Sequence, residues 1–151
     1  TMGSKALLPY FLALLTEAHG KVERVELSLQ LVVEALAVAD DHEERFYEAE
    51  LHRLKGELLL AQSPDNQSEA ESCFQEAIGI AQRQQAKSWE LRAATSLARL
   101  WQQQGKKAEA YKLLSEVYKW FTEGFETADL RTARDLLEDV PSTDDGNGLD
   151  P

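Results

Sequence analysis

The feature that most constrains this chain is an internal repeat that places small residues at equivalent points of successive segments. Ala13, Gly56 and Ala98 are separated by 43 and then 42 residues. A small residue in the middle of a helix lets a neighbouring helix approach closely, so the repeat predicts stacked helical hairpins. The partner segments repeat as well, at a spacing of 40: Ala70, Phe74 and Ala77 are followed by Ala110, Leu114 and Val117, and Val25, Leu29 and Val32 fill the same offsets.

Apolar residues recur at spacings of three and four along the whole chain, which is the period of an amphipathic helix. Val, Ile and Thr never form alternating runs bounded by turn residues, as strands would require. We therefore predict an all-α chain of about three antiparallel helical hairpins and a C-terminal capping helix. The predicted helices cover 5–19, 22–40, 43–62, 67–85, 88–104, 107–122 and 127–138.

The net charge of the chain argues against some classes of partner, and its cysteine content indicates a reducing compartment. The 151 residues carry a net charge of -11, which disfavours nucleic acid and anionic membrane surfaces as ligands. The single cysteine, Cys73, cannot form an internal disulfide, and no apolar run reaches the length of a membrane span. We expect a cytoplasmic protein.

The chain divides into three parts. Residues 1–4 read Thr-Met-Gly-Ser, which resembles a cloning remnant. Residues 5–138 form the predicted repeat domain, and 139–151 are polar and acidic, as expected of a disordered tail. The chain is therefore predicted to be a fragment of a larger protein.

Two of the repeats resemble the tetratricopeptide pattern, which places Leu-Gly-x-x-Tyr on a first helix and Ala-x-x-x-Phe-x-x-Ala on a second. Leu97-Ala98-x-x-Trp101 is similar to the first element, and Gly56 is followed by the second in Ala70, Phe74 and Ala77. The resemblance implies a TPR-like, right-handed superhelix with long helices.

Four longer stretches carry a second resemblance: LPYFLALLTEA at 8–18, FYEAELHRLKGELLLAQ at 46–62, ELRAATSLARLWQQQGK at 90–106 and YKWFTEGFETADLRTARDLL at 118–137. They resemble the C-terminal helical-repeat region of large bacterial signalling proteins. In those proteins a cyclase-type or other effector domain and a predicted ATPase module precede the repeats. The resemblance implies a non-catalytic interaction or regulatory module.

The tetratricopeptide resemblance also implies a concave, partner-binding face on the first helices. Arginine forks suit carboxylates, so an acidic peptide or a chain terminus is the expected ligand. The alternative is that Glu50, Arg53 and Glu57 pair with one another or with Arg92 as a structural ion-pair network. The implied face consists of Tyr10, Leu14, Glu17, Glu50, Arg53, Glu57, Arg92, Thr95, Arg99 and Gln102.

Catalytic, metal and cofactor sites are not predicted. No phosphate loop or nucleophile elbow occurs, and His42 would lie about 15 Å from His52 along a helix. Cys73 is expected to act as a small buried hydrophobe. Trp101 and Trp120 are expected to pack in the core, whereas Trp89 has an early helix position that can leave it at a rim.

Two classes of function remain open. The first is a protein-interaction module that binds a peptide, a partner surface or the upstream domains of its own chain, with weak self-association through exposed repeat ends. The second is a small-molecule effector sensor that regulates an attached ATPase or cyclase module. The segment WFTEGFETADLRTARDLLE at 120–138 is assigned to the capping of the array rather than to a site.

Overall fold

The computed structural model describes residues 22–38 and 47–139. The predictions for residues 1–4, for the helix at 5–19 with Tyr10, Leu14 and Glu17, and for the tail beyond Asp139 therefore lie outside the described residues.

Within these ranges the chain is all-helical, with no strand, which confirms the predicted class. A short 3-10 turn, Pro64–Asn66, joins two of the helices. The α-helices are α1 (Val22–Val38), α2 (Glu48–Gln62), α3 (Gln67–Arg83), α4 (Lys87–Gln103), α5 (Lys107–Tyr118) and α6 (Ala128–Asp139).

The helices pack in a regular order. Each described helix contacts the next one along the chain, and α4 contacts both α2 and α6 as well. Because short connections join α2 to α3 and α4 to α5, these pairs form antiparallel hairpins. The helices α2, α4 and α6 consequently lie in a row, and their side chains can combine into one surface.

The core is built from the positions that repeat in the sequence. Phe74 is fully buried and is the largest such side chain, and Leu114, 40 residues later, is also buried. The main cluster joins α3, α4, α5 and α6 with Leu59 of α2, so most of the apolar burial among the described residues lies between the two complete hairpins and the last helix.

Gly56 of α2 and Phe74 of α3 form a close contact between the two helices. A Cβ atom built on Gly56 would lie 2.5 Å from Cε1 of Phe74 and 2.9 Å from Cδ1. The aromatic ring therefore occupies the space that any larger residue would need. The small residue does what the repeat predicted of it.

Gly56→Ala is expected to lower the free energy of unfolding by about 1–2 kcal/mol, because overpacking a rigid core costs more than alanine gains in helix propensity. Gly79→Ala is the matched control, since its Cβ would meet only the end of Arg83 at 3.6 Å. That control is expected to gain up to about 1 kcal/mol. Urea denaturation followed by circular dichroism measures both. Equal effects of the two variants would contradict the contact.

Two successive helices end in the same turn with different residues. Ala86 N–H donates to the Ala81 carbonyl after α3, and Lys106 N–H donates to the Trp101 carbonyl after α4, both at 2.8 Å. This six-to-one bond requires a left-handed residue just before the donor. That residue is Gly105 at φ 83° in one turn and Gln85 at φ 56° in the other.

Gln85→Gly is expected to stabilise the protein by about 0.5–1 kcal/mol, because glycine has no Cβ to strain the left-handed conformation. Gly105→Ala is expected to lower the free energy of unfolding by about 1 kcal/mol, because alanine is strained in the left-handed conformation. No other atom crowds the position, so this backbone strain is the whole expected cost. Thermal unfolding of the two variants provides the measurement. A loss of stability in Gln85→Gly would show that the glutamine side chain contributes more than the backbone strain costs.

The segment after α5 differs from its predicted form. α5 ends at Tyr118 rather than near residue 122, and Trp120 is 58% exposed, so its predicted core position is wrong. Phe125 folds back so that its ring lies 5.8 Å from that of Tyr118. Gly124 turns the chain at φ 77°. The helix that follows, α6, buries Leu130, Ala133 and Leu136 against the core.

Candidate functional site

Charged side chains of α2, α4 and α6 meet on one surface, which we name the ion-pair face. It is defined by Glu50, Arg53, Arg92, Arg99 and Asp129. Spacings of three and seven within α2 and α4 place each helix's members on one side, and the contacts of α4 with α2 and α6 bring the three sets together.

Glu50 is the centre of this face although it is only 4% exposed. Arg53 donates two hydrogen bonds to its carboxylate, from Nε to Oε2 at 3.0 Å and from Nη2 to Oε1 at 2.6 Å. The third guanidinium nitrogen, Nη1, lies 3.4 Å from the Ser96 hydroxyl of α4. Such bidentate, charge-assisted pairs are the strong ones, and here the pair is shielded from solvent.

Arg92 links the same glutamate to the last helix. Its Nη1 lies 2.9 Å from Oε1 of Glu50, and its Nε lies 3.4 Å from Oδ1 of Asp129. The guanidinium also lies over the Trp89 ring at 5.7 Å from the centroid. One arginine therefore connects α2, α4 and α6.

The protonation of Arg53 follows from this arrangement. Burial by itself would lower the pKa of Arg53, but the hydrogen bonds and charge of Glu50, with smaller contributions from Glu57 and Asp129, raise it above the ordinary value. Arg53 is therefore a permanent cation whose charge is balanced inside the fold.

Two adjoining cavities open on the ion-pair face. The first, of about 120 Å³, lies between α2, α4 and α6, and the second, of about 260 Å³, lies between α2 and α4. They share Ser96 and Arg99. The first is lined by Arg53, Arg92, Thr95, Ser96, Arg99, Asp129 and Thr132, and the second by Glu57, Leu60, Ala61, Ser96, Arg99, Leu100 and Gln103.

Arg99 differs from the other two arginines of the face. Its side chain is exposed and makes no ion pair or hydrogen bond with any residue that the structure describes. Arg53 and Arg92, in contrast, are both committed to Glu50. Arg99 is therefore the guanidinium of this face that is available to an external carboxylate.

The residues expected to bind a partner separate into three groups. Arg53, Arg92, Thr95 and Arg99 line the first cavity, and Glu57 lines the second. Glu50 lines neither cavity, because it is buried and pairs with both Arg53 and Arg92.

Thr95 and Gln102 differ from the exposed positions that were expected. Thr95 is 7% exposed, and its hydroxyl donates to the Leu91 carbonyl at 2.7 Å. Gln102 is half-buried and lines neither cavity. The low exposure of both side chains results from the packing of neighbouring helices, which the repeat pattern does not specify.

Sequence reasoning missed Asp129, Ser96 and Thr132 as members of the site. Ser96 directly follows Thr95, which was predicted. Helical spacing from Arg92 could also have placed Ser96 on this side of α4. Asp129 and Thr132 belong to α6, whose side facing the arginines depends on how that helix docks, and no sequence signal specified this.

Other reactive side chains stand apart from the face. Among residues 22–38 and 47–139, no three His, Cys, Asp or Glu side chains are grouped as a metal site would require. Cys73 is half-buried against the main core, and burial raises the pKa of its thiol. The Trp101 indole N–H donates a hydrogen bond to the Glu71 carboxylate, so Trp101 both packs against the core and makes a polar contact.

None of the helices that the structure describes is long and apolar enough to cross a membrane.

His52 gives the fold a pH dependence. Burial lowers the pKa of His52 below its ordinary 6.5, although Glu76 and Glu48 partly oppose the shift. As the pH falls through 6.5, the unfolded chain binds the proton more readily, so the folded state loses stability. Below the lowered pKa this loss is complete.

His52→Gln is therefore expected to lose less stability than the parent chain between pH 7.5 and pH 5.5. Urea denaturation at the two pH values measures the difference. The carboxylates are common to both proteins, so the parent's larger loss isolates the imidazole. An equal loss in both would contradict the assignment.

Comparison with models of protein families, with curated proteins and with solved structures finds no match to this chain.

Proposed function

We propose that this chain is a non-catalytic protein-interaction module that binds an acidic peptide segment on the ion-pair face. The row of α2, α4 and α6, with α3 and α5 behind it, supports a TPR-like stacking in which first helices form the binding side. In keeping with the resemblance described above, the proposal includes an origin in a bacterial signalling protein of the cytoplasm.

One observation carries the proposal: the exposed, uncommitted guanidinium of Arg99 between two cavities. A peptide carboxylate placed there meets an arginine fork without displacing an existing ion pair. The neighbouring cavity adds apolar surface from Leu60 and Leu100. The expected ligand is thus an acidic residue, or a C-terminal carboxylate, next to an apolar side chain.

The network around Glu50 supports this role indirectly. Glu50 and Asp129 hold the side chains of Arg53 and Arg92 in ion pairs, so these two arginines are positioned before a ligand arrives. A preorganised site loses less conformational entropy on binding.

Selection from a random peptide library displayed on phage tests the proposal. The parent chain is expected to enrich peptides with Asp, Glu or a free C-terminus, and Arg99→Gln is expected to lose that enrichment while remaining folded. Arg83→Gln is the matched control, because Arg83 is an exposed arginine at the end of α3 and lines neither cavity. Enrichment that is absent, or equal in all three proteins, would refute the site.

The effector-sensing alternative makes a different prediction. A small metabolite would need to raise the melting temperature of the parent chain without any peptide. The first cavity of the ion-pair face is lined by polar and charged residues, which suits a peptide carboxylate better than an apolar effector. A metabolite whose stabilising effect survives Arg99→Gln would favour the alternative.

A further inference from the structure

A third cavity lies at the turn between α5 and α6 and shares Asp129 with the ion-pair face. It measures about 480 Å³, a size that accommodates a large side chain. Buried Leu91 and Leu130 contribute apolar surface, and the turn supplies most of the remaining wall. The full lining is Ser88, Leu91, Trp120, Phe121, Thr122, Glu123, Gly124, Thr127, Asp129 and Leu130.

The aromatic wall of this cavity has an accessible face. Trp120 is 58% exposed, and the Phe121 ring stands against it at 82° with centroids 5.2 Å apart. Such exposure is uncommon for tryptophan and was not expected from the sequence. An indole surface left open beside a cavity is a ready contact for a ligand.

The ionisable residues that line the cavity have one sign. Among the described residues that line it, the ionisable ones are Glu123 and Asp129, both acidic. Glu123 is exposed and has no ion pair with a described residue, whereas Asp129 is shared with Arg92. A cation is therefore the complementary ligand.

The structure already contains an ammonium group at the edge of this wall. Nζ of Lys87 lies 5.6 Å from the centroid of the Trp120 ring, while it also pairs with Glu90 at 3.0 Å. The indole thus attracts a cation within the folded chain, as the negative face of an aromatic ring does. Lys87 is not itself part of the lining.

We propose that this cavity binds an arginine side chain presented by a partner protein. A planar guanidinium stacks on the indole of Trp120 and directs its N–H groups to the carboxylate of Glu123. Lysine can form the charge contact but not the stacked, forked one. This site is separate from Arg99, so it neither requires nor excludes the acidic-peptide ligand of the ion-pair face.

The test uses the whole 151-residue chain and the blocked tripeptide acetyl-Gly-Arg-Gly-amide. The indole N–H resonance of Trp120 is followed by NMR during titration and is assigned by its loss in Trp120→Leu. The same peptide with citrulline keeps the shape of arginine but lacks its charge. It is expected to bind roughly tenfold more weakly.

Three variants distinguish the proposed contacts. Glu123→Gln is expected to weaken binding about threefold, while Glu126→Gln, an exposed neighbour outside the lining, leaves it unchanged. Lys87→Gln removes a competing positive charge and is expected to strengthen binding about twofold. For an anionic ligand the same change would weaken binding.

Several results would overturn the proposal. Equal binding of the arginine and citrulline peptides would show that charge plays no part. A norleucine peptide that binds as tightly as the arginine peptide would assign the cavity to an apolar side chain. Weaker binding in Lys87→Gln, or no change at the Trp120 resonance at millimolar peptide, would equally reject it.

Discussion

Replacing Phe74 with alanine is expected to lower the free energy of unfolding by about 3–5 kcal/mol. Phe74 is fully buried in the main cluster, and its ring fills the space above Gly56. The substitution removes the contact between α2 and α3 and leaves a cavity that a glycine opposite it cannot fill. A natural domain has only about 5–15 kcal/mol of stability, so much of it depends on this ring.

Urea denaturation followed by circular dichroism measures this loss, and Phe125→Ala is the control. Phe125 is 38% exposed, and its removal is expected to cost only about 1–2 kcal/mol. A comparably small loss in Phe74→Ala would mean that the two helices are held together by other contacts.

Glu50→Ala is expected to cost about 2–4 kcal/mol, because it leaves two arginines without their shared counter-ion. The side chain of Arg53 is only 15% exposed, so water replaces the lost carboxylate poorly. The effect falls short of the largest values for buried pairs because Glu57 lies 4.0 Å from Arg53 and Asp129 remains beside Arg92.

Three comparisons make the Glu50 result specific. Glu116→Ala, an exposed glutamate of α5, is expected to change stability by less than about 0.5 kcal/mol. Glu50→Gln keeps hydrogen-bonding atoms but no charge, so its loss is expected to be intermediate. Glu50→Met with Arg53→Met replaces both charges by apolar groups and is expected to cost less than Glu50→Ala alone. Unchanged stability in Glu50→Ala would show that the network is not part of the fold's energy.

The same network decides which residue can test binding. Substituting Arg53 or Arg92 would leave Glu50 buried without a full set of partners, so lost binding could reflect lost folding. Arg99 makes no ion pair or hydrogen bond with any described residue, so its substitution leaves none of their charges without a partner. A binding defect in Arg99→Gln would therefore report on the ligand.

Helix positions were largely predictable because their signals are local. The spacing of apolar residues and the turn at Gly105 located α4 to within one residue at each end. The end of α5 was misplaced by four residues, since Phe121 and Trp120 continue an apolar pattern that the turn at Gly124 interrupts. The strained turn at Gln85 had no clear signal, because glutamine rarely adopts that conformation.

The charged surface was predictable only in part. Spacing places Glu50 and Arg53 on one side of α2, and the sequence left open whether they pair or bind a ligand. The bidentate bond between them and the bridge from Arg92 are geometric facts of the fold. Spacing gave no indication that Asp129 would complete the bridge.

By itself, the sequence determined that the described residues are all-helical, that their helices pair as hairpins, and that a small residue lies in the middle of a helix where its partner approaches closely. These properties follow from periodicity and residue size, which act over a few turns of helix. Only the tertiary structure decided that Glu50 is buried, that Arg92 reaches Asp129 and that Arg99 and Trp120 remain exposed. Burial and ion pairing depend on the docking of helices distant in sequence, and these contacts determine which charges stay available for a partner.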